Sequence, residues 1–154
     1  MLPVSGASLA QEMPQIIPPG KHNLKDNQTQ LSQDSPCRLQ RTLRKPAEIQ
    51  GVGFFTGADV SMTLLPADEN HGIVFQRTDL KNSPLIPATI EYTVERHRRT
   101  AIANGDASVE PTEHLLAALY GLQVDNCLVQ LNAPELPGCD GSAQAFVDAI
   151  LQSD

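Results

Sequence analysis

Pro111-Thr112-Glu113-His114-Leu115-Leu116-Ala117-Ala118-Leu119-Tyr120-Gly121-Leu122 is the stretch that decides the fold. Leu115, Leu119 and Leu122 recur at helical spacing, with Leu116 and Ala118 widening the apolar stripe, so the segment reads as a helix with one buried face. Pro111 and Thr112 open it, Thr112 at the N-cap position, and Gly121 marks its end. Upstream the period changes from 3.6 to two. Val60, Met62 and Leu64 alternate with Ser61 and Thr63, the pattern of a half-buried strand.

Working outward, Leu39–Leu43 and Ala47–Gln50 read as short strands around Pro46, and Gly72–Arg77 as another after the turn Asp68-Glu69-Asn70. Arg99–Ala103 leads into Asn104-Gly105-Asp106, a hairpin signal. Beyond the helix, Asn126–Leu131 is a strand. Ser142–Leu151 is a second helix capped from Asp140-Gly141-Ser142, with Ala145, Phe146, Ala149 and Ile150 on its buried face. Strands first, then helix, strand and helix, predict an α+β two-layer sandwich: a mainly antiparallel sheet packed on two main helices.

The chain has 154 residues, the length of one ordinary domain, and only 4% aromatics with no Trp, so its core rests on Leu, Ile, Val and Ala. A net charge of −7 argues against a nucleic-acid binder. The basic cluster Arg96, Arg98 and Arg99 lies beside Glu91 and Glu95 and reads as a solvated strand face rather than an anion contact. Cys37, Cys127 and Cys139 form no CxxC pair and fit a reducing compartment, with Cys127 in the core and Cys139 a buried or half-buried small residue. No segment is apolar for long enough to be a transmembrane span, and no signal peptide is evident, so the reading is cytoplasmic. Residues 1–37 hold five of the twelve prolines, five Gln and no aromatic, and read as a disordered leader before a domain over 38–154.

Glu113 and His114 sit side by side in the first helical turn. The partial positive charge there favours a carboxylate and a neutral imidazole. A neutral imidazole can ligate a metal, and a carboxylate beside a metal-bound water can act as its base. Helical Glu/His pairs in HExxH enzymes use the same chemistry. Adjacent Glu and His are also ordinary in a first helical turn, so the pair alone decides nothing.

The surrounding motifs add to it. Thr112-Glu113-His114-Leu115-Leu116-Ala117-Ala118-Leu119-Tyr120-Gly121-Leu122 followed by Val124-Asp125-Asn126 resembles the core motif of the UDP-3-O-acyl-N-acetylglucosamine deacetylases of lipid A synthesis. Gln40-Arg41-Thr42-Leu43, Gly51-Val52-Gly53-Phe54-Phe55-Thr56-Gly57, Gly72–Asp79, Pro87-Ala88, Ala133-Pro134-Glu135-Leu136-Pro137 and Asp140-Gly141-Ser142-Ala143 fall in the family's order. The resemblance covers roughly residues 38–152. It implies the first of the family's two domains, His114 as a ligand of catalytic Zn2+, Glu113 as general base, and a UDP-linked, O-acylated glucosamine as substrate.

The same resemblance implies that two further ligands spaced HxxxD, and a general-acid His, belong to a second domain that this chain lacks. His22 and Asp26 have the HxxxD spacing but lie in the leader, and His71 and His97 read as surface residues. Two departures stand out: Phe54-Phe55 where the family usually has Leu-His, and Gly138-Cys139 where it has two bulky apolar residues. The expected protein partner is therefore a second deacetylase domain, with the surface near Ala117 and Ala118 apolar and exposed to receive it. The alternative is a truncated or stand-alone non-catalytic domain that binds a protein partner.

Overall fold

The computed structural model describes residues 38–153. The leader assigned to 1–37, with His22, Asp26 and Cys37, lies outside the described residues. Eight strands and two helices follow in the order β1 (Ala47–Val52), β2 (Asp59–Pro66), β3 (Ile73–Arg77), β4 (Leu85–Pro87), β5 (Thr93–Val94), β6 (Ala101–Asn104), β7 (Ala107–Val109), α1 (Glu113–Gly121), β8 (Cys127–Leu131) and α2 (Gln144–Gln152). A single 3-10 turn, Ile90–Tyr92, precedes β5.

Five strands form one sheet in the order β1-β2-β8-β3-β4, and β5-β6-β7 form a second of three. Every pair is antiparallel except β3 with β8, where Ile73 opposes Cys127 and Arg77 opposes Leu131. That parallel pair requires a long crossover, and α1 with the three-stranded sheet fills it. The α+β sandwich expected from the pattern is present.

Alternation explains which face is buried. Val60, Met62 and Leu64 of β2 face inward, as do Ala47 and Ile49 of β1 and Cys127, Val129 and Leu131 of β8. Leu115, Ala118 and Leu119 of α1 and Phe146 and Ile150 of α2 close over the same cluster, joined by Ile102, Ala107 and Val109 from the small sheet. Arg77, only 5% exposed, ties the sheets together. Its Nη1 donates to the Ser108 carbonyl at 2.7 Å while Nε and Nη2 grip Asp79, which holds the Asp79 carboxyl below its ordinary range.

Several expectations need correction. Leu39–Leu43 is not a strand; its backbone makes one bridge, Thr42 to Asn126. The segment is pinned through side chains instead. Arg38 donates twice to Asp125, and Asp125 also accepts the Arg41 N–H, which pulls the Asp125 carboxyl down to about 2. The arginine cluster is no strand face, because β6 starts only at Ala101 and Arg98 has φ +60 in the preceding loop. Ala118 is buried at 2% exposure, so of the surface expected around it only Ala117 is open. Cys139 is exposed, at φ +48, while Cys127 is in the core as expected.

Candidate functional site

α1 begins where the sequence placed it, but not by the expected cap. Thr112 is wholly buried and makes no capping bond; its N–H and Oγ1 both reach the Thr100 carbonyl, at 3.1 and 3.4 Å. In return the Thr100 N–H donates to Glu113 Oε2 at 3.1 Å. The loop before β6 is thus strapped to the first turn of α1, and the strap fixes one oxygen of Glu113. His114 beside it is exposed.

Both side chains line a cavity of about 160 Å³, together with Phe54, Phe55, Arg98, Arg99, Leu136, Pro137 and Ser142. A larger cavity of about 270 Å³ lies between the C-terminal ends of α1 and α2, but it is lined by no carboxylate or imidazole. The smaller one holds a carboxylate and an imidazole together.

Three further residues organise this cleft. Glu110 accepts from Arg96 Nε at 3.2 Å and Arg99 Nη2 at 3.1 Å. The bond to Glu110, then the fields of Glu110, Glu113 and Glu135, raise the Arg99 pKa further above its ordinary value. The Arg99 guanidinium lies 4.4 Å from the centre of the Phe55 ring, a cation–π distance. Asp140 accepts the N–H and hydroxyl of Ser142, which, with a smaller contribution from His114, holds its carboxyl below the usual range. Ser142 in turn takes the Gln144 N–H at 3.0 Å and so starts α2.

Glu135 is the least expected member. It is 1% exposed and accepts the N–H groups of Phe55 and Thr56, each at 2.8 Å, and the Thr56 hydroxyl. Burial pushes its pKa up, but those bonds and the Phe54 N–H outweigh burial and leave it lowered. Glu135 stands in the middle of Ala133-Pro134-Glu135-Leu136-Pro137. Its flanks, Ala133, Pro134, Leu136 and Pro137, were the available signal: a lone carboxylate in apolar surroundings needs dedicated donors. His71 and His97 are surface residues, as read.

A zinc site takes three protein donors plus water. Among the described residues no three His, Cys, Asp or Glu side chains gather closely enough to hold a metal. His114 therefore stands without companion donors among the described residues. Among the described residues no helix is long and apolar enough to cross a membrane.

The fold defines the class: a two-layer α+β domain that sets a carboxylate and an imidazole side by side in one cleft. Comparison makes the class specific: the chain belongs to the UDP-3-O-acyl N-acetylglycosamine deacetylase (LpxC) family, whose family model matches residues 40–154. It is 49% identical over 114 residues to a UDP-3-O-acyl-N-acetylglucosamine deacetylase of Myxococcus xanthus, covering 74% of this chain and 36% of that protein. It is 45% identical over 115 residues to the deacetylase of that name from Geobacter sp., covering 75% and 38%. It is also 46% identical over 114 residues to a bifunctional enzyme LpxC/FabZ of Chlorobaculum tepidum, covering 74% and 24%. The chain thus spans about a quarter to two-fifths of the length of these relatives.

Proposed function

We propose that this chain is the N-terminal domain of a zinc-dependent UDP-3-O-acyl-N-acetylglucosamine deacetylase, hydrolysing the N-acetyl group of its UDP-sugar substrate in the cytoplasm during lipid A synthesis. Catalysis requires a second domain that completes the ligand set. The observation that carries the reading is the Thr100–Glu113 strap, because it presents an oriented carboxylate next to an exposed imidazole inside one cleft. Free Cys127 and Cys139 suit a reducing compartment.

Zinc, when bound, supplies a Lewis acid that makes a ligated water acidic at neutral pH. His114 contributes one nitrogen donor. Glu113, with Oε2 held by the Thr100 N–H, offers Oε1 to take the proton from the attacking water.

The test is to assemble this chain with a second domain from the family and follow release of acetate from the UDP-sugar. His114→Ala should abolish zinc retention and turnover. Glu113→Ala should keep the zinc and lower turnover roughly 10²–10⁴-fold, the usual worth of a positioned general base. The isolated chain, dialysed and analysed for metal, should retain far less than one zinc. Full activity of the Glu113→Ala complex sinks the base assignment; failure of the two domains to associate favours the non-catalytic binding module.

A further inference from the structure

We propose that Glu135 is the positioning residue of the cleft's aromatic wall: its buried carboxylate holds the Phe54–Thr56 turn so that Phe55 lies across Arg99.

The geometry runs in one direction. Glu135 is enclosed, yet the bonds it accepts come from a turn whose four residues, 54 to 57, are all exposed. Enclosing a carboxylate is unfavourable unless donors are dedicated to it. Closing the turn does not require it, because Gly53 N–H already reaches the Ala58 carbonyl at 2.8 Å and Gly57 N–H the Gly53 carbonyl at 3.1 Å. What the carboxylate adds is a fixed direction for the turn. Phe54 and Phe55 meet edge to face at 5.4 Å, and Phe55 lies against Arg99 from a loop more than forty residues away in sequence.

Arg99 needs that ring. Its Nε is buried and has no hydrogen-bond partner, so its orientation is set by Glu110 on one edge and the Phe55 face. The Arg99 loop is the one whose Thr100 N–H holds Glu113. The fit around Glu135 is close, since Gly53 has no room for a Cβ against the carboxylate. Phe55, which departs from the family pattern, thereby gains a specific place. None of the hydrogen bonds of Glu135 goes to Glu113 or His114, so its effect falls on what the cleft binds rather than on the proton transfer. That consequence rests on the deacetylase reading; the clamp itself does not.

The full 154-residue chain, labelled with nitrogen-15, provides the test. A guanidinium held over a ring face is shifted upfield by the ring current, so the Arg99 Nε–H signal reports the stack, and Phe55→Leu calibrates its loss. Glu135→Gln keeps the side chain's shape but turns an NH2 towards either the Thr56 donors or the Phe55 N–H. It should move the Arg99 signal most of the way to the Phe55→Leu position while core amides such as Leu64 and Val129 stay in place. An unmoved Arg99 signal overturns the proposal. Should Glu135→Gln disturb the core as well, Thr56→Val is read instead: partial movement supports the clamp and none refutes it. In the assembled two-domain enzyme, Glu135→Gln should raise KM about tenfold or more with kcat within about threefold. A fall in kcat at unchanged KM overturns the binding role. Absence of turnover in the wild-type complex sinks the deacetylase reading alone, and the NMR result still decides the clamp.

Discussion

Adding one methyl group at Gly53 should dislodge Glu135. An alanine Cβ at this position would sit 2.5 Å from Cδ and 2.9 Å from Cγ of Glu135, closer than real Cβ atoms come to other heavy atoms. Gly53 is not among the residues at positive φ, so alanine is not strained in the backbone, and the three nearest atoms it meets all belong to Glu135. Hydrogen bonds to charged groups are worth about 1.5–3 kcal/mol each, and three donors converge on this carboxylate. Two of them are N–H groups of an exposed turn that can return to water, so the net loss is about 3 kcal/mol. Glycine-to-alanine replacement recovers about 0.4–1 kcal/mol through the unfolded chain, leaving Gly53→Ala about 2–3 kcal/mol less stable. Urea unfolding of the full chain at neutral pH measures it. In a Glu135→Ala background the same substitution should cost under about 0.5 kcal/mol, because the obstacle is gone. Acid provides a second check. A lowered pKa means that the clamp's contribution is present above the unfolded carboxyl value, about 4.3, and is lost as pH falls through the folded one. The deficit of Gly53→Ala should therefore shrink in acid. Additive single and double substitutions would refute the reasoning.

Other outcomes follow from the same structure. Asp125 is pulled down to about 2 by Arg38 and the Arg41 N–H, so its contribution is complete above its unfolded value and fades as pH drops towards 2. Thermal midpoints of the wild type and Asp125→Asn should accordingly converge over that range. Leu115→Ala removes a side chain with no exposure and should cost about 2–5 kcal/mol by urea unfolding, whereas Ala117→Ser on the open face should stay within about 0.5 kcal/mol. Cys127 has its thiol pushed up to about 12 by burial and should resist iodoacetamide in the native chain. Cys139 is exposed, but burial of its thiol and the nearby Asp140 raise its pKa too, so peptide mass spectrometry should find it alkylated before Cys127, and slowly.

The parts of the fold legible in sequence are those with one buried face. β2 and α1 each repeat an apolar residue at their own period over several turns of the pattern, and each appears within a residue or two of its expected bounds. β4 and β5 are three and two residues long, too short for any period to register, and of the three-stranded sheet the sequence shows only the Arg99–Ala103 strand and its Asn104–Asp106 hairpin. Leu39–Leu43 has strand composition but obtains its partners through the side chains of Asp125 and Asn126, which hydropathy does not encode. At the site, adjacency in sequence made Glu113 and His114 visible as a pair. Phe55, the Arg99-Thr100 pair, and Glu135 with Asp140 come from three other segments, and only tertiary contacts bring them to the cleft.

Phe55 bears on the choice between enzyme and binding module. Read in sequence, an aromatic where the family usually has His suggests a loop released from its catalytic surroundings. In the fold the ring is held from both sides, by Glu135 through the backbone of its turn and by Arg99 across its face. A protein–protein contact made through Phe54 and Phe55 would not need a carboxylate enclosed beneath them, since exposed aromatics bind partners from ordinary turns. Nor would it need Arg99 drawn away from solvent to stack on one of them. What this arrangement does provide is a rigid wall whose Arg99 is the chain neighbour of Thr100, the residue that orients Glu113. A fixed wall decides how a bound molecule sits in the cleft, and matters little to adhesion. On that physical ground the exchange of His for Phe reads as a change in how the cleft is lined, with the Glu113 and His114 pair still presented to it.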